Sequence, residues 1–291
     1  MKRSYIKYIA AVLLFGLNGI VASFIDLSSY EIVLMRTLLG SAFLTAVFFL
    51  TRGKLTFYKH KKAFVSLAVS GVATGASWMF LYEAYERIGV GIASLLCYCG
   101  PVIVMALSPL LFKEKLTPVK IIGFAAVLAG VFFVNGSIFG GSGDTFGFVC
   151  GLLSAATYAV MVIFNKRSAA ITGFESTGFQ LIFAFLTVVV FIAFKQGFAI
   201  SIPASSVPFI LILGLLNTGI GSYMYFSSMS QLPVQTVAIC GYLEPLSAVL
   251  FSWILIKETM LPLQILGAVL ILGGAILAER VKTPAPADKT T

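Results

Sequence analysis

Charge is what this chain has least of. Of its 291 residues only 11% are Asp, Glu, Lys or Arg, less than half the share of about 25% in ordinary soluble domains. No stretch is both long and polar enough to form a separate soluble domain. Histidine occurs once, at His60, and the four cysteines, Cys97, Cys99, Cys150 and Cys240, lie in apolar runs with no CxxC or Cys/His spacing. That excludes a zinc site or a disulfide framework and leaves the cysteines as small packing residues. No phosphate-cradling glycine loop, nucleophile elbow or HExxH occurs, and Gly140-Gly141 has no lysine after it, so no cofactor and no metal are expected. The net charge of +9 invites a nucleic-acid partner. Its cations, however, sit in short connections between apolar runs, which is an orientation signal instead.

Apolar residues, by contrast, make up 59% of the chain. They gather in runs at about 5–24, 30–51, 63–83, 89–112, 118–136, 145–165, 173–194, 206–228, 234–256 and 262–279. Roughly 20 residues of helix cross the ~30 Å hydrocarbon layer. Uninterrupted runs of this kind lack the alternation of a barrel strand, and an isolated strand leaves its backbone unpaired in lipid. The expected fold is an all-α membrane protein with ten transmembrane helices. The opening Met1-Lys2-Arg3 before an apolar run resembles a signal peptide, but nine further spans favour a retained first helix. Pro284 and Pro286 mark a tail, 281–291, that is expected to be disordered and cytoplasmic.

The chain also repeats itself. Shifted by 144 positions, residues 31–134 fall on 175–278 without a gap. Glu31 meets Glu175, Gly75 meets Gly219, Tyr98 meets Tyr242 and Pro101 meets Pro245. Lys113-Glu114 meets Lys257-Glu258, Pro118 meets Pro262, and Gly123 and Gly130 meet Gly267 and Gly274. These residue types have particular backbone or polar uses, so the matches are not the chance pairing of one Leu with another. Each copy, 1–136 and 145–280, holds five spans. An odd number forces the second copy to enter the membrane inverted, an arrangement found in secondary transporters.

With the N-terminus in the cytoplasm, 16 Lys and Arg fall on the cytoplasmic side and three, Arg87, Lys195 and Lys257, on the other; Arg36 lies inside a span. Both termini are therefore expected in the cytoplasm, with the 137–144 connection outside.

Glu244 is the most informative single residue, an acid at mid-span. There it must face a wet cavity, pair with a cation or take up a proton. It reads as a substrate- or proton-binding carboxylate, the alternative being a protonated acid bonded to a neighbouring helix. Pro101 and Pro245 each free the carbonyl four residues earlier, at Cys97 and Gly241, with Tyr98 and Tyr242 next in line. Paired broken helices of this kind suggest a central site; simple packing kinks are the alternative. Arg36, roughly 9 Å inside its helix, either binds a substrate carboxylate or snorkels to the outer interface. Its repeat partner is Gln180. Asn18 and Asn217 either bond across helices, the favoured role for Asn217, or reach a ligand. Trp78, Tyr82 and Tyr85 share one helix face, as a stacking surface or, for Tyr85, an interfacial anchor. The paired glycines suit close helix packing, and Glu114 and Glu258 read as turn residues ahead of Pro118 and Pro262.

The combination resembles the drug/metabolite transporter superfamily, in its EamA-type branch. Phe15-Gly16-Leu17-Asn18 is similar to the family's first-helix motif, with Phe15 where tryptophan is usual. Arg36 matches the second-helix arginine. Tyr82-Glu83-Ala84, Ala93-Ser94-Leu95-Leu96, Gly100-Pro101-Val102 and Leu243-Glu244-Pro245 match the third, fourth and ninth helices. The resemblance covers nearly the whole chain. It implies an inner-membrane carrier with a central cavity lined by helices one to four and six to nine. Its expected work is alternating access for small metabolites, often amino acids and commonly outward.

The leading functional class is thus a secondary carrier for a small organic solute, driven by protons or exchange. An amine-bearing compound is preferred, since free carbonyls accept from ammonium groups and phenols bond or stack on them. A membrane enzyme would need a cluster of acids or metal ligands at one face. A channel or scaffold is the remaining class.

Overall fold

The computed structural model describes residues 2–135, 144–195, 197–198, 200–257 and 261–280. Residues 137–143 of the long connection, Glu258 and the tail 281–291 lie outside the described residues. Among the described residues every regular element is helical. The first half contains α1 (Lys2–Phe15), α2 (Asn18–Ala22), α3 (Ser29–Leu50), α4 (Lys61–Ile88), α5 (Val90–Cys97), α6 (Cys99–Phe112) and α7 (Pro118–Asn135). The second holds α8 (Thr145–Arg167), α9 (Gly173–Lys195), α10 (Val207–Leu211), a π-helical stretch Ile212–Gly221, α11 (Ser222–Met229), α12 (Val234–Gly241), α13 (Leu243–Phe251) and α14 (Pro262–Arg280). Among the described residues seven helices are long and apolar enough to cross a membrane, and Cys99–Phe112, Pro118–Phe133 and Ile265–Ala278 are shorter apolar helices. Their outward faces carry exposed Leu, Ile, Val and Phe, as a lipid-facing surface requires. The protein is an all-α membrane protein.

Local chemistry sets the helix ends. Ser28 and Glu31 form a reciprocal capping box at the start of α3, which satisfies two otherwise orphaned amides. Asp144 caps α8 by accepting from Phe146 N and Gly147 N at 2.8 and 3.2 Å. Lys113 and Lys257, one repeat apart, both end their helices in the left-handed conformation, at φ 56° and 59°. Glu114 is not the simple turn residue expected. Its carboxylate accepts from Val234 N and Gln235 N at 2.7 and 3.1 Å, so it caps α12 in the opposite half of the chain.

The helices that carry Pro101 and Pro245 are each interrupted one turn ahead of the ring. The interruptions fall at Tyr98 (φ −67°, ψ −6°) and Tyr242 (φ −71°, ψ −5°). A third break, at Gly16-Leu17 between α1 and α2, lies against α13. A Cβ on Gly16 would sit 2.0 Å from Ser247 Oγ, so only glycine fits. The last helices of the two halves pack against each other: Gly123 faces the Gly274 carbonyl and Gly130 the Gly267 carbonyl, each 2.6 Å from an ideal Cβ. As one number rises the other falls, so α7 and α14 run antiparallel.

Candidate functional site

Glu244 occupies the first turn of α13, just past the Tyr242 break. Its carboxylate makes no hydrogen bond or ion pair with any described residue. It lies deep in the molecule yet keeps part of its surface accessible. Tyr8, Tyr85, Cys97, Tyr98, Tyr158 and Tyr225 lie within its electrostatic range, and Arg36 is the cation whose field reaches it.

The phenols form an organised set. Tyr8 Oη donates to the Val237 carbonyl at 2.9 Å, and its ring stacks on Tyr225 with centroids 5.1 Å apart. The hydroxyls of Tyr158 and Tyr225 lie 3.2 Å apart. Gly241 is pressed between the Tyr8 and Tyr158 hydroxyls, each 3.6 Å from the position of an ideal Cβ. On the far side Ser94 Oγ donates to Tyr85 Oη at 3.3 Å, and Tyr82 meets Tyr85 edge-on at 5.2 Å. Tyr85 is therefore an inward residue and not an interfacial anchor. The sequence reading missed Tyr8, Tyr158 and Tyr225; an aromatic residue in an apolar helix looks like core until its neighbours are known.

Arg36 is 6% exposed and does not snorkel. Its Nε donates to Thr218 Oγ1 at 3.1 Å, across the halves, and its guanidinium carbon lies 4.7 Å from the Trp78 ring centroid. The repeat-related contact is also present: Gln180 Nε2 donates to Thr74 Oγ1 at 2.9 Å and to Ser70 Oγ at 2.8 Å, and Thr74 is the repeat partner of Thr218.

Other expected site residues have structural partners. Asn18 Oδ1 accepts from Asn217 Nδ2 at 2.9 Å, so this pair ties the α1–α2 break to the π-helical stretch. Cys97 Sγ accepts from Ser154 Oγ at 3.4 Å. Tyr98 remains partly accessible. Tyr242 does not form cavity wall as expected. It is 0% exposed, packs against Phe124 of α7 and donates to the Tyr98 carbonyl at 2.6 Å. The carbonyl used at the first break is thus that of Tyr98. Pro101 and Pro245 are buried.

A second polar cluster was not foreseen. Glu83 binds Lys195 at 2.7 Å and Arg87 at 2.7 Å, and Tyr30 Oη donates to it at 2.6 Å. Arg87 continues to Asp144 at 3.0 Å. Arg87, followed by the Gly147 and Phe146 amides, holds the Asp144 carboxyl below the usual carboxylate range. The network joins α3, α4, α8 and α9 at one end of the molecule, where two of the three cations counted on the less basic side meet. No group of three or more His, Cys, Asp or Glu gathers as a metal site among the described residues.

The model of the EamA-like transporter family matches residues 2–136 and again 145–279. The chain is 24% identical to the uncharacterized transporter YxxF of Bacillus subtilis over 276 residues, 94% of this chain and 88% of that protein. It is 26% identical to the threonine/homoserine exporter RhtA of Escherichia coli over 245 residues, 84% and 78% of the two. A solved crystal structure shares the fold with a TM-score of 0.81 at 20% identity, covering 95% of this chain and 98% of that one.

Proposed function

This chain belongs to the EamA-like transporter family, and from that premise we propose that it is a secondary carrier for a small amine-bearing organic solute, working by alternating access. The observation that carries the proposal is Glu244: a deep carboxylate, free of any described partner, facing accessible space beside a broken helix. An unpaired acid in a membrane interior is costly to keep and is most readily explained by a ligand or a proton that comes and goes. The surrounding phenols supply faces and hydroxyls suited to an ammonium group. RhtA's name makes amino-acid export the reading for direction and substrate class.

In this reading the halves 1–136 and 145–280 are two inverted five-helix repeats, ten spans in all, that rock about the site. Both termini face the cytoplasm, and the protein sits in the inner or plasma membrane. Nothing in the site supports an enzyme. The test is counterflow in proteoliposomes with a panel of labelled amino acids and amines. Saturable, trans-stimulated uptake of at least one solute is expected. Linear, unsaturable flux, or none across the whole panel, overturns the carrier reading.

A further inference from the structure

We infer that Arg36 is a carboxylate receptor whose guanidinium is aimed by Thr218, so that the transported solute bears a carboxylate; this deepens the carrier reading and rests on it for the word transported. Thr218 lies in the π-helical stretch, a distortion that recurs at functional sites. There its hydroxyl donates to the Leu213 carbonyl, five residues back, at 2.8 Å. A hydroxyl has one hydrogen. With that hydrogen committed to Leu213, Oγ1 is left as an acceptor, and Arg36 Nε donates to it at 3.1 Å. Trp78 covers one face of the guanidinium at 4.7 Å.

One edge and one face are thereby fixed, while Nη1 and Nη2 make no hydrogen bond or ion pair with any described residue. These nitrogens are not sealed in either. Arg36 keeps 6% of its surface accessible, and among the described residues neither nitrogen is a fully buried atom without a partner. A nearly buried cation with an idle donor edge is a costly arrangement unless an anion comes to it. The two parallel N–H groups of that edge match the two oxygens of a carboxylate.

The other half shows that the fold itself does not need this charge. Gln180 makes the equivalent contact to Thr74, whose hydroxyl donates to the Ser70 carbonyl, four residues back in an ordinary α-helix, at 2.8 Å. A neutral amide serves there to hold the halves together. The positive charge, supplied by the first half, and the π-turn, supplied by the second, have no counterpart at the Gln180–Thr74 contact, so they are assigned to the ligand and not to the fold.

The experiment titrates the purified full chain, by intrinsic tryptophan fluorescence, with the common L-amino acids and with their amides and decarboxylated amines. At least one acid should saturate, with its amide and amine roughly tenfold or more weaker. Thr218→Val should weaken the acids by roughly tenfold and leave amides and amines unchanged, while Thr218→Ser restores the preference. Arg36→Lys, a point charge without the fork, should not restore it. Equal affinity for acids and amides, no saturation by any acid, or a Thr218→Val protein that keeps the preference overturns the inference. Binding of acids without counterflow defeats only the carrier reading, whereas counterflow of a solute that lacks a carboxylate preserves the carrier and defeats this inference.

Discussion

The phenol of Tyr242 donates to the backbone carbonyl of Tyr98 over 2.6 Å, and the two residues are exact repeat partners, 144 positions apart. One broken helix thus uses its tyrosine to satisfy the acceptor that the other break exposes. The reverse bond is not formed: Tyr98 keeps its own side chain partly accessible, within range of Glu244. Two residues related by the repeat therefore differ: the Tyr242 side chain is committed to a structural bond, and the Tyr98 side chain stays accessible near Glu244.

That division predicts opposite outcomes for two similar changes. Tyr242→Phe leaves a half-buried carbonyl without its donor and should cost about 1 kcal/mol. Tyr98→Phe removes a hydroxyl that is not part of this bond and should leave stability nearly unchanged while altering ligand affinity. Thermal unfolding in detergent and ligand titration of both variants check this. A Tyr242→Phe protein as stable as the parent contradicts it.

The antiparallel crossing of α7 and α14 gives a sharper contrast, between neighbours in sequence. A Cβ on Gly274 would lie 2.5 Å from the Gly123 carbonyl oxygen, whereas Gly273 has nothing within 4 Å. Gly274→Ala must push the helices apart and should cost about 1–3 kcal/mol. Gly273→Ala should be neutral or stabilising by up to about 1 kcal/mol, from helix propensity. Chemical denaturation of the two variants side by side distinguishes them, and equal stabilities would show that the helices are not in this close contact.

Asp144 links the capping of α8 to Arg87, and its carboxyl is held below the usual range by that arginine and by the two capping amides. The sign follows from linkage. A folded-state pKa below the unfolded one means stability that is fully present above the unfolded value and lost as pH falls through the folded value. Thermal stability should therefore drop on acidification below about pH 4, the ordinary carboxylate range, and Asp144→Asn should flatten that part of the profile. An unchanged acid limb in the variant assigns the acid sensitivity to other groups.

How much of this was legible in the sequence depends on what each feature is made of. Spans follow from hydropathy, and among the described residues seven helices long and apolar enough to cross a membrane lie on runs read from the sequence; the interruptions at Tyr98 and Tyr242 lie just ahead of the two prolines, where a missing amide hydrogen weakens a helix. Arg36 and Glu244 stood out because a charge in lipid needs a reason. The direction in which a side chain points is another matter. Tyr8, Tyr158 and Tyr225 are indistinguishable from core aromatics in a list of residues, and Tyr242 is as polar as Tyr98 yet sealed inside. The Thr74 and Thr218 match was present in the repeat, but its use became visible only when Gln180 and Arg36 were seen to reach them. Glu83 lay too near a helix end for its depth to mark it. Its importance comes from Lys195, 112 residues away, which no local pattern reports.

Glu244 carries the last prediction. The residue is an acid without a described partner, beside accessible space. If it exchanges a proton during the transport cycle, an amide in its place retains the shape and loses that exchange. Glu244→Gln should then abolish the acceleration of uptake by an imposed pH gradient while solute-for-solute exchange persists. If Glu244 also receives the ammonium group of the solute, loss of a charge-assisted hydrogen bond should weaken affinity by roughly 10- to 100-fold. The two effects separate in proteoliposomes: gradient response reports coupling, and the half-saturating concentration of exchange reports binding. A variant with weakened affinity but a full gradient response keeps Glu244 as a binding residue and moves proton coupling elsewhere. A variant normal in both removes Glu244 from the mechanism altogether.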